Sequence, residues 1–153
     1  MDFIVEQDVD APVAAVFAAL TDFKRLETGA RARGMNAERS DSMAAPGIGT
    51  AWRVEYMMRG SQRRALMQIT AWTPPEGYAI AAQSNLMDLA ATFRFTALGP
   101  ATTRVRIEAQ VSARSLPGRI LLQSARLGRS RIDDRLSRGL ERLCDRIATD
   151  YPS

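Results

Sequence analysis

The sequence predicts an α+β domain: a curved antiparallel sheet of six to seven strands wrapped around a long C-terminal helix, with two short helices after the first strand. Three observations carry this. Between Ser115 and Thr149, apolar or small residues recur at Leu121, Ala125, Gly128, Ile132, Leu136, Leu140, Leu143 and Ile147, in the steps of three and four that mark one face of a helix. Between Trp52 and Val111, segments of strict apolar/polar alternation are separated by turn residues, the mark of half-buried strands joined as hairpins. Between them and the first strand stand two brief helical patterns.

Taken in order, Phe3, Val5 and Val9 alternate with Ile4, Glu6 and Asp8 as a short strand with one mostly apolar face. Asp10-Ala11-Pro12 then offers a cap and a first-turn proline to a helix carrying Val13, Val16, Phe17 and Leu20. Thr21-Asp22 caps a second short helix with Phe23 and Leu26, ending near Gly29. Arg33 to Ser40 reads as an edge strand open to pairing with a partner, and Ala45-Pro46-Gly47-Ile48-Gly49 as a turn. Trp52, Val54, Tyr56 and Met58 form one inward row, and Arg59-Gly60-Ser61-Gln62 turns the chain back. Ala65, Met67, Ile69 and Ala71 form the next row, before the turn Pro74-Pro75-Glu76-Gly77. Tyr78, Ile80 and Ala82 follow, with a break at Ser84-Asn85. Then come Leu89, Ala91, Phe93 and Phe95, the turn Leu98-Gly99-Pro100, and Val105, Ile107, Ala109 and Val111. Ser115 caps the last helix, read as continuous to Thr149 and roughly 45–50 Å long at about 1.5 Å per residue.

One domain, residues 1–153, accounts for the whole chain, because no repeat, low-complexity tract or linker interrupts it. A 46% hydrophobic and 25% charged composition excludes disorder as the class. No apolar run approaches a membrane span and the N-terminus carries no basic-then-apolar leader, so a cytoplasmic protein is expected. The single cysteine, Cys144, allows no internal disulfide.

Histidine is absent. Ser-His-Asp and Cys-His catalysis are thereby excluded within the chain, and a conventional zinc site is not expected. No Gly-rich phosphate loop is present either, so no metal and no cofactor are expected. The net charge of +4 is unevenly placed. Residues 1–113 carry 12 Lys+Arg against 12 Asp+Glu, whereas residues 114–153 carry 9 against 5, so the excess sits on the C-terminal helix. That face, with Arg131, Arg135 and Arg138, is either a solvated helix surface or a docking site for an anionic partner. Asp134 and Arg138, four apart, form an expected ion pair on it.

A seven-stranded sheet curls as it twists, and one helix in its trough, a helix-grip arrangement, leaves room for a cavity. Its candidate walls are Trp52, Val54, Tyr56, Met58, Met67, Ile69, Phe93 and Phe95 from the sheet, with Gly128, Ile132 and Leu136 from the helix. Gly128, expensive in a helix interior, reads as making room for a ligand or a close strand. Met58 and Met67 suit an adaptable apolar site. Tyr56 is the inward hydroxyl able to orient a ligand. Arg53, Glu55, Asp88 and Arg94 fall on the outward phase, and a carboxylate to pair with Tyr56 would have to come from Asp22 or Asp88.

Several stretches, in order, resemble the Bet v 1-like, START-related (SRPBCC) superfamily, in its polyketide cyclase/dehydrase-like bacterial branch. Asp10 to Phe17 with Leu20-Thr21-Asp22 resembles its entry into the first helix. Gly47-Ile48-Gly49-Thr50-Ala51-Trp52 resembles its Gly-x-Gly-x-x-Trp lead-in to a central strand. Trp72-Thr73-Pro74-Pro75 and Thr103-Arg104-Val105 resemble a later hairpin turn and the start of the last strand. The resemblance implies the helix-grip fold and a cavity; it carries over no catalytic residue, because the scaffold hosts carriers, receptors and cyclases alike. The expected function is binding or transport of a small hydrophobic ligand (lipid, isoprenoid or polyketide-like) between sheet and C-terminal helix. The alternatives are a cyclase/dehydrase-like or hydrolase-like enzyme in the same cavity, and an interaction module docking through the arginine-rich helix. No specific nucleic-acid partner is expected, peripheral contact with an anionic membrane is an alternative partner, and the pattern sets no oligomeric state.

Overall fold

The computed structural model describes residues 1–151. β1 (Asp2–Val9) leads into α1 (Val13–Leu20) and α2 (Phe23–Ala32), followed by β2 (Asn36–Arg39), β3 (Ala51–Met58), β4 (Ser61–Thr73), β5 (Gly77–Gln83), β6 (Met87–Gly99) and β7 (Thr102–Ala113). The chain closes with α3 (Leu116–Leu127) and α4 (Arg129–Asp150). The strands make one seven-stranded sheet in the order β1-β7-β6-β5-β4-β3-β2, antiparallel at every pairing. The edge strand read at residues 33–40 is β2. Among the described residues no helix is long and apolar enough to cross a membrane.

Hairpin chemistry sets the register. β3 and β4 are joined by Arg59 and Gly60 alone, with Met58 paired to Ser61. Both loop residues have positive φ, 50° and 79°, the backbone that matches the twist of flanking strands. Gly118 has a different purpose. A β-carbon there would overlap the Leu86 carbonyl, so glycine lets the first turn of α3 press onto the β5–β6 connection. Ser115 caps that turn by accepting from the Gly118 N–H at 3.2 Å.

The structure corrects four sequence expectations. The C-terminal helix is two helices, because Gly128 (φ −105°, ψ 23°) ends α3 and starts α4. Its N–H bonds the Ala125 carbonyl at 3.1 Å, and its own carbonyl accepts from Arg131 and Ile132 at 3.1 and 3.2 Å. Glycine's poor helix propensity makes this the cheapest place to bend, and the joint lets α3 lean on β7 while α4 lies along β1. The inward row of β4 does not reach Ala71. A bulge between Ile69 and Ala71 inserts one residue, and Trp72 takes the inner position opposite Tyr78. Asp10 does not cap α1; Pro12 holds the cap position, with no side-chain bond. The ion pair on α4 is Arg129–Asp133 at 3.6 Å, not Asp134–Arg138. Asp22 does cap α2, accepting from the Arg25 N–H at 3.4 Å.

The core gathers where the sheet's inner face meets the helices. Leu140, Cys144 and Ile147 of α4 pack with Val9, Val105 and Phe95 from the sheet and Val16 and Leu20 from α1. Burial pushes the Cys144 thiol up to about 11, so this cysteine is a small hydrophobe of the core. A second, smaller cluster joins Ala37, Trp52 and Ile69, with Phe23 of α2 packed against it.

Candidate ligand-binding site

Side chains two apart on a strand share a face, and the register carries that face across the sheet. Trp52 pairs with Met67, Val54 with Ala65 and Tyr56 with Arg63; Ile69 pairs with Ile80, Tyr78 with Phe93 and Phe95 with Val105. The eight sheet residues named from the sequence therefore stand on one inner face. They are not equally enclosed. Trp52, Ile69 and Phe95 are buried in the packed clusters, whereas Val54, Tyr56, Met58, Met67 and Phe93 are only half-buried.

On the helix side Gly128 and Ile132 are half-buried and Leu136 is 40% exposed, although Leu140, one turn on, is buried. The apolar stripe of α4 thus meets the core with its C-terminal half and leaves its N-terminal half partly uncovered. A β-carbon on Gly128 would meet nothing closer than the Ala125 carbonyl at 4.0 Å, and one on Gly139 nothing within 4 Å. Gly128 is therefore not a relief for a close strand. Its place is the helix joint, and open space lies beside both glycines.

Between α2 and the sheet lies a pocket of about 150 Å³, with Phe23, Leu26, Trp52, Met67, Tyr78 and Phe93 in its walls. Small-molecule sites usually occupy roughly 300–1,000 Å³, so this pocket alone suits a ring-sized group. Two larger depressions, about 600 and 680 Å³, open on the other side of the sheet. Their outward-phase side chains are Thr92, Arg94 and Thr96 in one, and Glu38, Arg53, Glu55 and Arg64 in the other. These are open grooves of mixed lining, with Ala79 and Ala97 in the first and Leu66 in the second beside the polar side chains, whereas the rows of large apolar side chains belong to the inner face.

Aromatic rings tie the small pocket together. Phe23 meets Trp52 edge-on at 4.9 Å, and Tyr78 stacks on Phe93 at 4.7 Å. Trp52 is held on three sides, for its indole N–H donates to Glu27 at 3.1 Å and the Arg39 guanidinium sits 5.6 Å from the ring centre. Arg39 is fixed in turn by two 2.7 Å bonds to Asp41. That pairing, with the Ala51 and Met43 N–H groups, holds the Asp41 carboxyl well below the usual carboxylate range. Tyr78 donates to the Leu20 carbonyl at 2.8 Å, and burial pushes its phenol above the ordinary value. It is a structural hydroxyl, joining the end of α1 to the sheet.

The carboxylates considered as partners for Tyr56 are not placed to pair with it. Asp22 caps α2, and Asp88 lies on the outward phase, its buried Oδ1 3.5 Å from Arg114 without a hydrogen bond among the described residues. Two polar residues at the inner face escaped the sequence reading. Glu27 reaches the pocket from α2, a helix whose apolar pattern was too short to assign each side. Arg63 was within reach, because it lies two residues before Ala65 on the same alternation.

The family described as polyketide cyclase/dehydrase and lipid transport matches residues 2–148. A search of curated proteins finds no match. Among solved structures the chain is similar to the Zhui aromatase/cyclase from Streptomyces sp. R1128, at 13% identity and a TM-score of 0.68 over 96% of this chain and 93% of that one. It is similar to a START superfamily protein from Mycobacterium smegmatis, at 14% identity and a TM-score of 0.62 over 93% and 98%. It is also similar to norcoclaurine synthase from Thalictrum flavum, solved with dopamine and hydroxybenzaldehyde, at 8% identity and 0.70 over 100% and 88%. At these identities the likeness is one of fold.

Proposed function

From the premise that the chain belongs to the polyketide cyclase/dehydrase and lipid transport family, within the SRPBCC superfamily, we propose that it binds and carries a small hydrophobic molecule in the trough between the sheet and α3–α4. The carrying observations are the half-buried apolar floor of Val54, Met58, Met67 and Phe93 on the inner face and, on α4, an apolar stripe whose Leu136 is still 40% exposed. Apolar surface that folding leaves in contact with water is worth about 25 cal/mol per Å² to whatever covers it. A lipid, isoprenoid or polyketide-like body is the matching cover. Carriage is favoured over turnover because Asp22 caps α2, Asp88 lies on the outward phase beside Arg114, and the Glu27 carboxylate is bonded to an indole. The test is titration with the neutral fluorescent probe N-phenyl-1-naphthylamine. Wild type should enhance its emission saturably, and Val54→Arg, which fills the floor with a charge, should weaken binding at least tenfold. Unchanged binding in the variant would contradict the reading.

A second surface bears on how such a ligand is loaded. Leu116, Ile120 and Leu127 are 69%, 55% and 93% exposed and fall within one narrow sector of α3, opposite the half-buried Leu121, Leu122 and Ala125. From Arg114 to Arg131 the chain carries five arginines and no carboxylate. An apolar stripe flanked by cations fits an anionic bilayer surface, and we propose that α3 rests on one, with the arginine surface centred on α3 more than on Arg135 and Arg138. Sedimentation with vesicles containing phosphatidylglycerol, but not with phosphatidylcholine alone, is the expected result, lost in Ile120→Asp/Leu127→Asp. Concentration-dependent self-association abolished by the same substitutions, without vesicle binding, would overturn it.

A further inference from the structure

The inner face of the sheet holds one cation that the fold does not use. Arg63 stands directly across from Tyr56, on the face of Ala65 and Met67, and its Nε is buried with no hydrogen-bond partner. Four strand arginines, Arg39, Arg64, Arg104 and Arg106, each pair with a carboxylate within 4.0 Å. Arg63 pairs with none among the described residues; Arg53 and Arg94 pair with none either, but they are exposed on the outward phase, whereas Arg63 has a buried nitrogen without a partner. Taking part of a guanidinium out of water without a partner is costly. The neighbouring inward positions are Val54, Met58 and Ala65, which offer no acceptor. Across the strand Tyr56 is half-buried and its hydroxyl has no partner among the described residues, so a donor stands beside the cation.

We propose that Arg63 and Tyr56 together anchor the carboxylate of an acidic amphiphile. The acid end sits between the guanidinium and the phenol, where charge-assisted hydrogen bonds are short and strong. The apolar body runs from there over Val54, Ala65 and Met67 towards Trp52, about 13 Å away at the strand's rise per residue. Direction is set at the far end as well. Glu27 lies beside Trp52, and its carboxylate repels a second acid there, so the ligand enters one way round and carries one carboxylate.

This inference rests on the trough being the binding site, and the test separates the two. Decanoate and 1-decanol share a chain and differ in charge at pH 8. Each is used to displace N-phenyl-1-naphthylamine from wild type, Arg63→Gln and Arg63→Lys. The expected result is decanoate at least tenfold tighter than decanol in wild type, the preference lost in Arg63→Gln with decanol unaffected, and partly restored in Arg63→Lys. Higher salt should weaken decanoate alone, a readout on wild type that needs no variant to fold. Equal affinity for the two probes overturns the anchor and leaves the trough standing. Failure of both to displace the dye overturns the trough and the anchor with it.

Discussion

Tyr78 and Asp41 show how single residues hold the site without touching a ligand. Tyr78 buries a ring among Phe23, Trp72, Phe93 and Phe95 and spends its hydroxyl on the last carbonyl of α1, an acceptor that the helix itself cannot satisfy. Tyr78→Phe leaves that carbonyl buried and unpaired. It should cost about 1–3 kcal/mol in urea unfolding, with the ring packing and the slope of the transition unchanged. Asp41 ties the loop before β3 to Arg39, and Arg39 lies over Trp52. The folded-state pKa of Asp41 is lowered, so its contribution is present above the unfolded value of about 3.9 and is lost as pH falls through the lower folded value. In a carboxyl-detected NMR titration Asp41 should therefore stay ionised through pH 4, where ordinary carboxylates protonate, and titrate only below it; in Asp41→Asn the Trp52 indole resonance should be shifted already at neutral pH. Neither role could be read from the sequence, because Leu20 and Tyr78 are 58 positions apart and Asp41 falls in an unpatterned loop. Arg63 differs. Its phase was written in the alternation of β4, and the turn preceding it drew the reading away.

Among the elements, the glycines of the C-terminal helices divide into two kinds. Gly118 is pressed against the Leu86 carbonyl, whereas Gly139 of α4 has open space around it. Gly118→Ala should destabilise by about 1–3 kcal/mol through overpacking and loosen α3. Gly139→Ala should stabilise by up to about 1 kcal/mol, the ordinary difference in helix propensity. Thermal melts of the two variants check both signs together. The periodic stripe from Leu121 to Ile147 runs through the joint at Gly128 without losing phase, which is why periodicity alone read one helix where the chain makes two. The bulge before Trp72 was hidden for a related reason. A single inserted residue shifts the inward phase, and no local residue type announces it.

At the level of the molecule, order and patterning were enough to reveal the architecture. The helical pair after β1, the hairpin turns and the terminal stripe each named their element, and a seven-stranded antiparallel sheet with one apolar face has few ways to be covered. The site was readable as a wall of inward rows and not as a volume. How far α4 covers that wall depends on the helix joint and the bulge, so the division between packed residues such as Ile69 and Phe95 and half-open ones such as Val54 and Met58 emerges only in three dimensions. The trough is the feature from which the proposed carriage and the acid anchor both follow. Native mass spectrometry of the freshly purified protein, with solvent extraction of whatever is released, tests it. A discrete adduct that dissociates on denaturation and extracts as a monocarboxylic amphiphile is the predicted result. A clean apo mass, together with no uptake of N-phenyl-1-naphthylamine, would contradict it.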